Sequence, residues 1–282
     1  MQSIALVADL HSNTLSLEAI LKDIRKKHKP DRIISLGDQI NLGPAPRETL
    51  DMLRQENVVC LHGNHERYIL SAMKHDPAYA GANFASLDFN IKQVTEEEIT
   101  FPKSLTIDGI TFCHAMPDDD RFPIDKPEQA IPKLEKMRFT QMTHIIAGHS
   151  HNPVHYALPN LIIDGIGSSG CMDDGIPSVA SYTMLYLSPG KTVLRPYFVQ
   201  YDASKLKEIY MKSGFADCCP IMAHITCLQL QNNYDYLNDF VGKARALQAL
   251  KKETAMSMET WQETDRYFNW ADGISTAEFW RK

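Results

Sequence analysis

Apolar residues in the first third of this chain alternate between two spacings. Residues 3–8 (SIALVA) form a short apolar run that ends in a polar cluster, the pattern of a buried strand. Within residues 15–27, Leu17, Ile20, Leu21 and Ile24 then fall at helical spacing. The succession recurs with apolar residues from Arg32 to Leu36, a loop rich in Gly and Pro, a helix near Pro46 to Gln55, and a strand from Val58 to Leu61. Strand, loop and helix in alternation predict an α/β fold. In such folds ligands sit beyond the carboxyl ends of the strands, where strand termini converge.

From Glu66 to Glu98 the spacing predicts cover helices, one face carrying Tyr68, Ile69, Ala72 and Met73 and a second carrying Phe84, Leu87, Ile91 and Val94. Leu105 to Ile107 and Ile110 to Cys113, joined by Asp108-Gly109, read as a hairpin that ends at His114. Further short strands are expected at Thr143 to Ala147, Val154 to Ala157, Leu161 to Asp164, Ser178 to Leu187 and Thr192 to Val199, with turns at Pro159-Asn160 and Pro189-Gly190. After Asp202 the pattern turns helical, through Lys205 to Lys212, Tyr236 to Lys252 and a last stretch with Trp261, Trp270 and Trp280. The chain therefore divides into residues 1–200 and a C-terminal helical extension, 201–282, packed on or near the first part. The tryptophans are expected to pack in a core or dimer interface, the alternative being a cap that stacks on a nucleotide base.

Charge and cysteine usage narrow the function classes. The balance of 29 basic and 35 acidic residues, a net −6, argues against bulk binding to a nucleic-acid backbone and against a DNA-repair nuclease. The six cysteines (Cys60, Cys113, Cys171, Cys218, Cys219 and Cys227) show no CxxC spacing, which suits a reducing cytoplasm. Neither a basic leader nor an apolar run near the roughly 20 residues that span a bilayer is present in the sequence. A cytoplasmic protein that does not enter membranes is expected.

The candidate chemistry lies in five segments at predicted strand ends: Asp9-x-His11, Gly37-Asp38, Gly63-Asn64-His65-Glu66, His114, and Gly148-His149-Ser150-His151. Each alone has a plainer explanation. Asp and Ser cap helices, Gly-Asp makes turns, Glu66 favours a helix N-terminus, and a lone histidine is commonly a satisfied core residue. Alternate histidines point the same way only if their loop is strand-like. Together they supply the carboxylates and imidazoles that suit Mn, Fe, Zn, Co or Ni, and Asp38 is the candidate to be shared by two cations.

In this order the segments resemble the calcineurin-like metallophosphoesterase superfamily, whose pattern is D-x-H, GD, GNH, H and GH-x-H. The resemblance spans roughly residues 1–200. ADLHSNTLSLEAIL, GDQINLGPAPRETL, GNHE and GSSG followed by DDGIPSVASYTML are similar, more narrowly, to its small bacterial phosphodiesterase branch of YfcE-like and diadenosine-tetraphosphatase-like proteins. The resemblance implies a four-layer α/β/β/α sandwich with two metal ions at one sheet edge, Mn foremost. It would place Asp9, His11, Asp38 and His151 on one metal and Asp38, Asn64, His114 and His149 on the second. A hydroxide between the cations would attack phosphorus in line with the leaving oxygen. His65, adjacent to a ligand, would contact phosphate and protonate or stabilise the leaving alkoxide, with Asn13 and Arg67 as further phosphate contacts. For Arg67, a surface salt bridge is the competing explanation.

The chain departs from the pattern at two places, the first of which bears on substrate. The serine/threonine phosphatases of the superfamily carry an Asp and an Arg where this chain has Asn41 and Leu42, so His65 is expected to lack its orienting carboxylate, and phosphoprotein substrates are demoted. The branch's usual Gly-Ser-Val-Gly is here Gly167-Ser168-Ser169-Gly170. The expected activity is hydrolysis of phosphodiester, nucleotide-anhydride or phosphomonoester bonds in a small phosphorylated substrate. The alternative is a non-catalytic interaction protein on the same fold, although His65 and all seven ligand positions are present. Oligomeric state stays open, a homo-oligomer included.

Overall fold

The computed structural model describes residues 2–137 and 142–281, so Met1, Lys282 and residues 138–141 of the two spans expected above lie outside the described residues. Among the described residues, ten strands form two mixed sheets. In the first, β1 (Gln2–Val7), β2 (Arg32–Ser35) and β3 (Val59–Cys60) run parallel. The second contains β4 (Ser104–Ile107), β5 (Ile110–Cys113), β6 (Thr143–Ala147), β7 (Pro153–Leu158) and β8 (Leu161–Ile166) in the order β4-β5-β6-β8-β7. The antiparallel strands β9 (Val179–Ser188) and β10 (Lys191–Gln200) return to the first sheet and complete its order, β10-β9-β1-β2-β3. Leu6 pairs with Ile34 in the first sheet and Phe112 with Ile146 in the second. The β4–β5 turn is tight because both Asp108 and Gly109 take left-handed φ angles, 49° and 80°, as a two-residue hairpin requires.

The layers follow from which faces are apolar. Ile4, Leu6, Ile34, Leu36 and Leu185 of the first sheet meet Ile110, Phe112, Ile146 and Ile166 of the second. The opposite face of the first sheet buries Ala5, Val7, Tyr182 and Met184 under α1 (Thr14–Lys27) and α2 (Pro46–Gln55), through Leu17, Ile20, Leu21, Ile24 and Leu53. With both faces covered, β1 is buried from Ile4 to Val7, hence its continuous apolar run. The chain is thus an α/β sandwich of two mixed sheets flanked by helices.

The helical stretch expected from Glu66 to Glu98 is interrupted. α3 (Asn64–Met73) and α4 (Ser86–Ile91) are separated by two single 3₁₀ turns, Pro77–Tyr79 and Ala82–Phe84, and a third, Glu97–Ile99, follows. Pro77 disfavours helical backbone at Asp76, whose side chain instead caps the next turn by accepting from the Ala78 N–H. One helix the periodicity did not announce, α5 (Pro127–Leu134), carries Pro132 inside it.

After β10 every element is helical: α6 (Leu206–Lys212), α7 (Phe215–Cys218), α8 (Pro220–Asn232), α9 (Tyr236–Lys251), α10 (Met258–Tyr267) and α11 (Thr276–Phe279). α8 escaped the sequence reading because it is buried continuously from Ile221 to Leu230, and a helix buried all round has no polar face to betray its period. Its apolar residues pack with Trp261 and Trp270 and extend the same cluster to Leu42, Phe89 and Cys171. No described helix is long and apolar enough to cross a membrane.

His224 sits at the centre of this helical cluster, fully buried. Its ring stacks between Trp270 and Phe279, with centroid distances of 4.0 and 4.1 Å. Burial lowers its pKa to about 4 against the opposing pull of Asp272. Between pH 6.5 and 4 the unfolded chain therefore binds the proton more readily than the folded one. The His224 contribution is complete above about pH 6.5 and falls by up to about 3 kcal/mol as the pH drops to 4. Urea denaturation at pH 7 and pH 4.5 should show a smaller acid loss for His224→Gln than for the parent, and equal losses would exclude His224 as a source.

Candidate metal centre

All seven candidate ligands and His65 converge just beyond the carboxyl ends of β1, β2, β3, β5 and β6. The loops that carry them turn sharply. Asp9, His11, Asp38, His149 and His151 all have left-handed φ angles, between 47° and 64°, a region sparsely populated outside glycine but more open to Asp, Asn and His. Gly37, at φ 105°, and Gly63 let two loops touch: a Cβ on Gly37 would lie 2.6 Å from His114 Nδ1, and one on Gly63 would lie 2.2 Å from Asp38 Oδ1. Glu66, one turn into α3, ties these loops together. Its buried carboxylate accepts the backbone N–H groups of Gly63, Asp38, Gln39 and Ile40 at 2.9, 3.0, 2.9 and 3.4 Å. Burial and the Asp38 charge push Glu66 up to about 8, and its N–H donors pull the other way.

Candidate ligand atoms form three groups, within each of which they lie no more than 4.8 Å apart: Asp9, His11 and His151; His11, Asp38 and His65; and Asp38, His114 and His149. The first and third share no residue, and the middle one links them. Because the loop after β6 is not strand-like, His149 and His151 diverge into different groups. Asn64 joins the third, its Oδ1 lying 2.9 Å from His114 Nε2.

Outer partners set which ring nitrogen faces inward. His114 Nδ1 donates to the Leu36 carbonyl at 2.9 Å, so Nε2 meets Asn64 Oδ1 and, at 3.3 Å, Asp38 Oδ2. His151 Nδ1 donates to Asp173 at 2.8 Å, turning Nε2 toward His11 Nε2 at 3.2 Å and Asp9 Oδ1 at 3.7 Å. Electron-pair donors thus face one another. Among the described residues, Asp9 Oδ1 and His11 Nδ1 are buried without a hydrogen-bond partner. Buried lone pairs in opposition, on imidazole, carboxylate and amide, suit bound divalent cations, with the outer carbonyl and carboxylate orienting the rings.

Burial pushes Asp9 up to about 6 and takes His65 down to about 4 and His149 to about 3, while it drives His11 well down. Burial opposes the charge on Asp38 as well, but the imidazoles of His114 and His65 hold that carboxyl well below the usual range. Against the same burial, Asp38 raises His114 to about 9 and Asp173 raises His151 to about 10.

Other residues take places the sequence did not announce. Asn13, expected as a possible phosphate contact, is buried and caps a helix: its Oδ1 accepts from the Ser16 N–H at the start of α1, and its Nδ2 donates to Gly170 O at 2.9 Å. Arg67 is committed to a two-pronged ion pair with Asp120, at 2.7 and 2.9 Å, and to Tyr79 Oη, the salt-bridge alternative. Ser169 accepts the Ala8 N–H through its hydroxyl at 3.2 Å, which gives the extra hydroxyl of the GSSG segment a role. Nor does His65 lack an orienting partner, since Asn41 Nδ2 lies 2.8 Å from its Nδ1. Asp173, the first residue of the DDGIPSVASYTML segment, and Asn41, noted above only for replacing an aspartate, carry no ligand signature in the sequence; both matter through contacts made only on folding.

The cleft above the centre holds about 290 Å³ and is lined by His65, Tyr68, Arg121 and Lys126 on one side and by Gln229, Asp235 and Asn238 of the C-terminal helices on another. The α8–α9 junction is pinned there by Gly175 N to Asn233 O and Asp235 N to Asp173 O. Trp261 and Trp270 pack in the helical core, and no tryptophan lines the cleft.

The model of the calcineurin-like phosphoesterase family matches residues 3–154. An uncharacterised protein of Methanocaldococcus jannaschii, MJ0912, is 30% identical over 74% of this chain and 92% of its own. A symmetrical bis(5'-nucleosyl)-tetraphosphatase of Pseudomonas fluorescens is 35% identical over a segment covering 24% of each chain. A metallophosphoesterase from Sphaerobacter thermophilus shares the fold, with a TM-score of 0.63 at 20% identity over 82% of this chain and all of that one.

Replacing Glu66 with Ala would strand buried backbone N–H groups, each at a cost of about 1–3 kcal/mol. Glu66→Ala is expected to lose at least about 3 kcal/mol of stability and to bind metal more weakly. Calorimetry and metal analysis would show this, and unaltered values of both would remove Glu66 as the tie between the loops.

Proposed function

We propose that this chain, which belongs to the calcineurin-like phosphoesterase family, is a two-metal hydrolase of small phosphorylated substrates, cleaving phosphodiester, nucleotide-anhydride or phosphomonoester bonds. The observation that carries this reading is the pair of disjoint ligand groups joined through Asp38 and His11. Asp9, His11, Asp38 and His151 would hold one ion, and Asp38, Asn64, His114 and His149 the other, with Mn foremost and Fe, Zn, Co or Ni as alternatives. Such ions supply Lewis acidity to phosphoryl oxygens and lower the pKa of water toward neutrality.

The chain's own residues do the remaining work. Asp173 and Leu36 fix the rings of His151 and His114. His65 borders the cleft, its Nε2 lying 3.9 Å from Asp38 Oδ2, where it would assist the leaving group. Arg121 and Lys126 make no ion pair among the described residues, and Arg121 lies 5.9 Å over the Tyr68 ring. Both would face substrate anions at the mouth, in place of the clamp that Leu42 cannot provide. The relative named as a tetraphosphatase supports including nucleotide anhydrides. The unpaired cysteines suit work in the cytoplasm.

Mn-loaded and chelator-treated protein should be compared on bis-p-nitrophenyl phosphate, p-nitrophenyl phosphate and dinucleoside polyphosphates. Activity is expected to vanish on chelation and return with Mn; a protein that binds no metal would favour a non-catalytic interaction protein. Asp38→Asn should lower metal content and cut turnover by roughly 10²-fold or more. Arg121→Gln should leave metal content unchanged and raise KM by about tenfold, the value of one charge-assisted hydrogen bond; an unchanged KM removes it from the substrate site.

A further inference from the structure

Three buried amide and carbonyl groups settle how His65 presents its ring. Asn90, on α4, donates through Nδ2 to the Ser86 carbonyl at 2.8 Å and to Asn41 Oδ1 at 3.2 Å. Asn41 Nδ2 in turn lies 2.8 Å from His65 Nδ1. Asn41 and Asn90 are both buried.

Amide orientation is normally a matter of inference, but here one end of the series is fixed. The Ser86 carbonyl can only accept, so the Asn90 atom facing it must be the NH₂ group. Turned over, that amide would set oxygen against oxygen at 2.8 Å. It would also move its NH₂ to the position of Oδ1, which is buried and has no partner among the described residues. With Asn90 donating, Asn41 must receive through Oδ1 and present Nδ2 to His65. Nδ1 of His65 is therefore an acceptor, and the ring hydrogen sits on Nε2. That edge belongs to the cleft, and the ring meets His11 edge-on at 4.8 Å.

We propose that Asn41 and Asn90 are positioning residues that fix His65 as an Nε2–H hydrogen-bond donor to the leaving oxygen, which sets this site for substrates whose leaving group departs as a stable anion. Nucleotide anhydrides and aryl esters meet that requirement, and simple alkyl phosphodiesters do not. The inference rests on the phosphoesterase reading for its substrate class, and on the hydrogen-bond series alone for the ring. In the step itself, water forms a new P–O bond and loses a proton to solvent. The old P–O bond breaks, its electron pair leaves with the departing oxygen, and Nε2 keeps its hydrogen while donating to that oxygen. An aspartate at position 41 would reverse the arrangement, because a carboxylate only accepts and would draw the hydrogen to Nδ1.

Two measurements test this on the full chain. Nitrogen-15 NMR of the histidine rings, on chelator-treated and Zn-loaded protein, should show His65 with its hydrogen on Nε2, and Asn41→Asp should move hydrogen to Nδ1. A parent ring already carrying hydrogen on Nδ1 overturns the proposal. The second measurement is the Mn-dependent kcat/KM across a series of aryl and alkyl esters. The parent should fall steeply with leaving-group basicity. Asn41→Asp, by taking the hydrogen from Nε2, should lower the alkyl-to-aryl ratio on the order of 10²-fold, the usual scale of losing a positioned donor, and an unchanged ratio counts against the proposal. Should Asn41→Asp not fold, Asn90→Ala serves in its place. It frees the Asn41 amide to turn, so a mixture of the two ring forms is expected, and a ring unchanged from the parent would overturn the relay. Complete absence of Mn-dependent hydrolysis would sink the phosphoesterase reading, whereas the ring measurement stands apart from it.

Discussion

The carboxylate of Glu66 joins the loop after β2 to the loop after β3 by accepting backbone N–H groups from both, and most of the centre depends on that junction. Asp38 lies on one loop and Asn64 and His65 on the other. The hydrogen bond from the His65 N–H to Asp38 Oδ1, at 2.8 Å, adds a second tie across the same gap. A carboxylate suits this place because it is acceptor-only and can meet several N–H donors at once. Gly63 completes the junction, since any side chain there would occupy the space of the Asp38 carboxylate.

Around this junction the backbone holds Asp, Asn and His in left-handed turns at Asp9, His11, Asp38, Asn41, His149 and His151. Such turns aim successive side chains into one space, where an extended strand would send successive residues to opposite faces. The arrangement persists because the strands beneath are buried on both faces and leave the loops little freedom. Leu36 lies in the core between the sheets and Leu10 in the core under α1 and α2. The same rigidity lets Asn90, far from the metal ligands in sequence, fix the face that His65 shows to the cleft.

The C-terminal helices contribute both a packed core and part of the cleft lining. Their tryptophans stabilise a core around His224, and their α8–α9 junction brings Asp235, Asn238 and Gln229 to the cleft. Asp173 stands where these two roles meet, with its side chain on His151 and its backbone on Asp235. One wall of the cleft is thereby built from a part of the chain that carries no ligand motif.

The alternation of strand and helix, the Asp108-Gly109 hairpin and the order of the DxH, GD, GNH, H and GHxH segments were legible in the sequence because each rests on local rules of periodicity, turn chemistry and strand-end placement. Helix α8 was not, because burial on every side erases its period, and the stretch from Glu66 to Glu98 read as more regular than it is because Pro77 breaks it. The partition of His149 and His151 into separate groups, the bond from Asn13 to Gly170, the ion pair of Arg67 and the partners Asp173, Asn41 and Asn90 were decided only by tertiary structure. Side-chain orientation depends on neighbours that are distant in the chain, such as Asn90 and Asn41 at 3.2 Å, and no local pattern encodes which of them will meet.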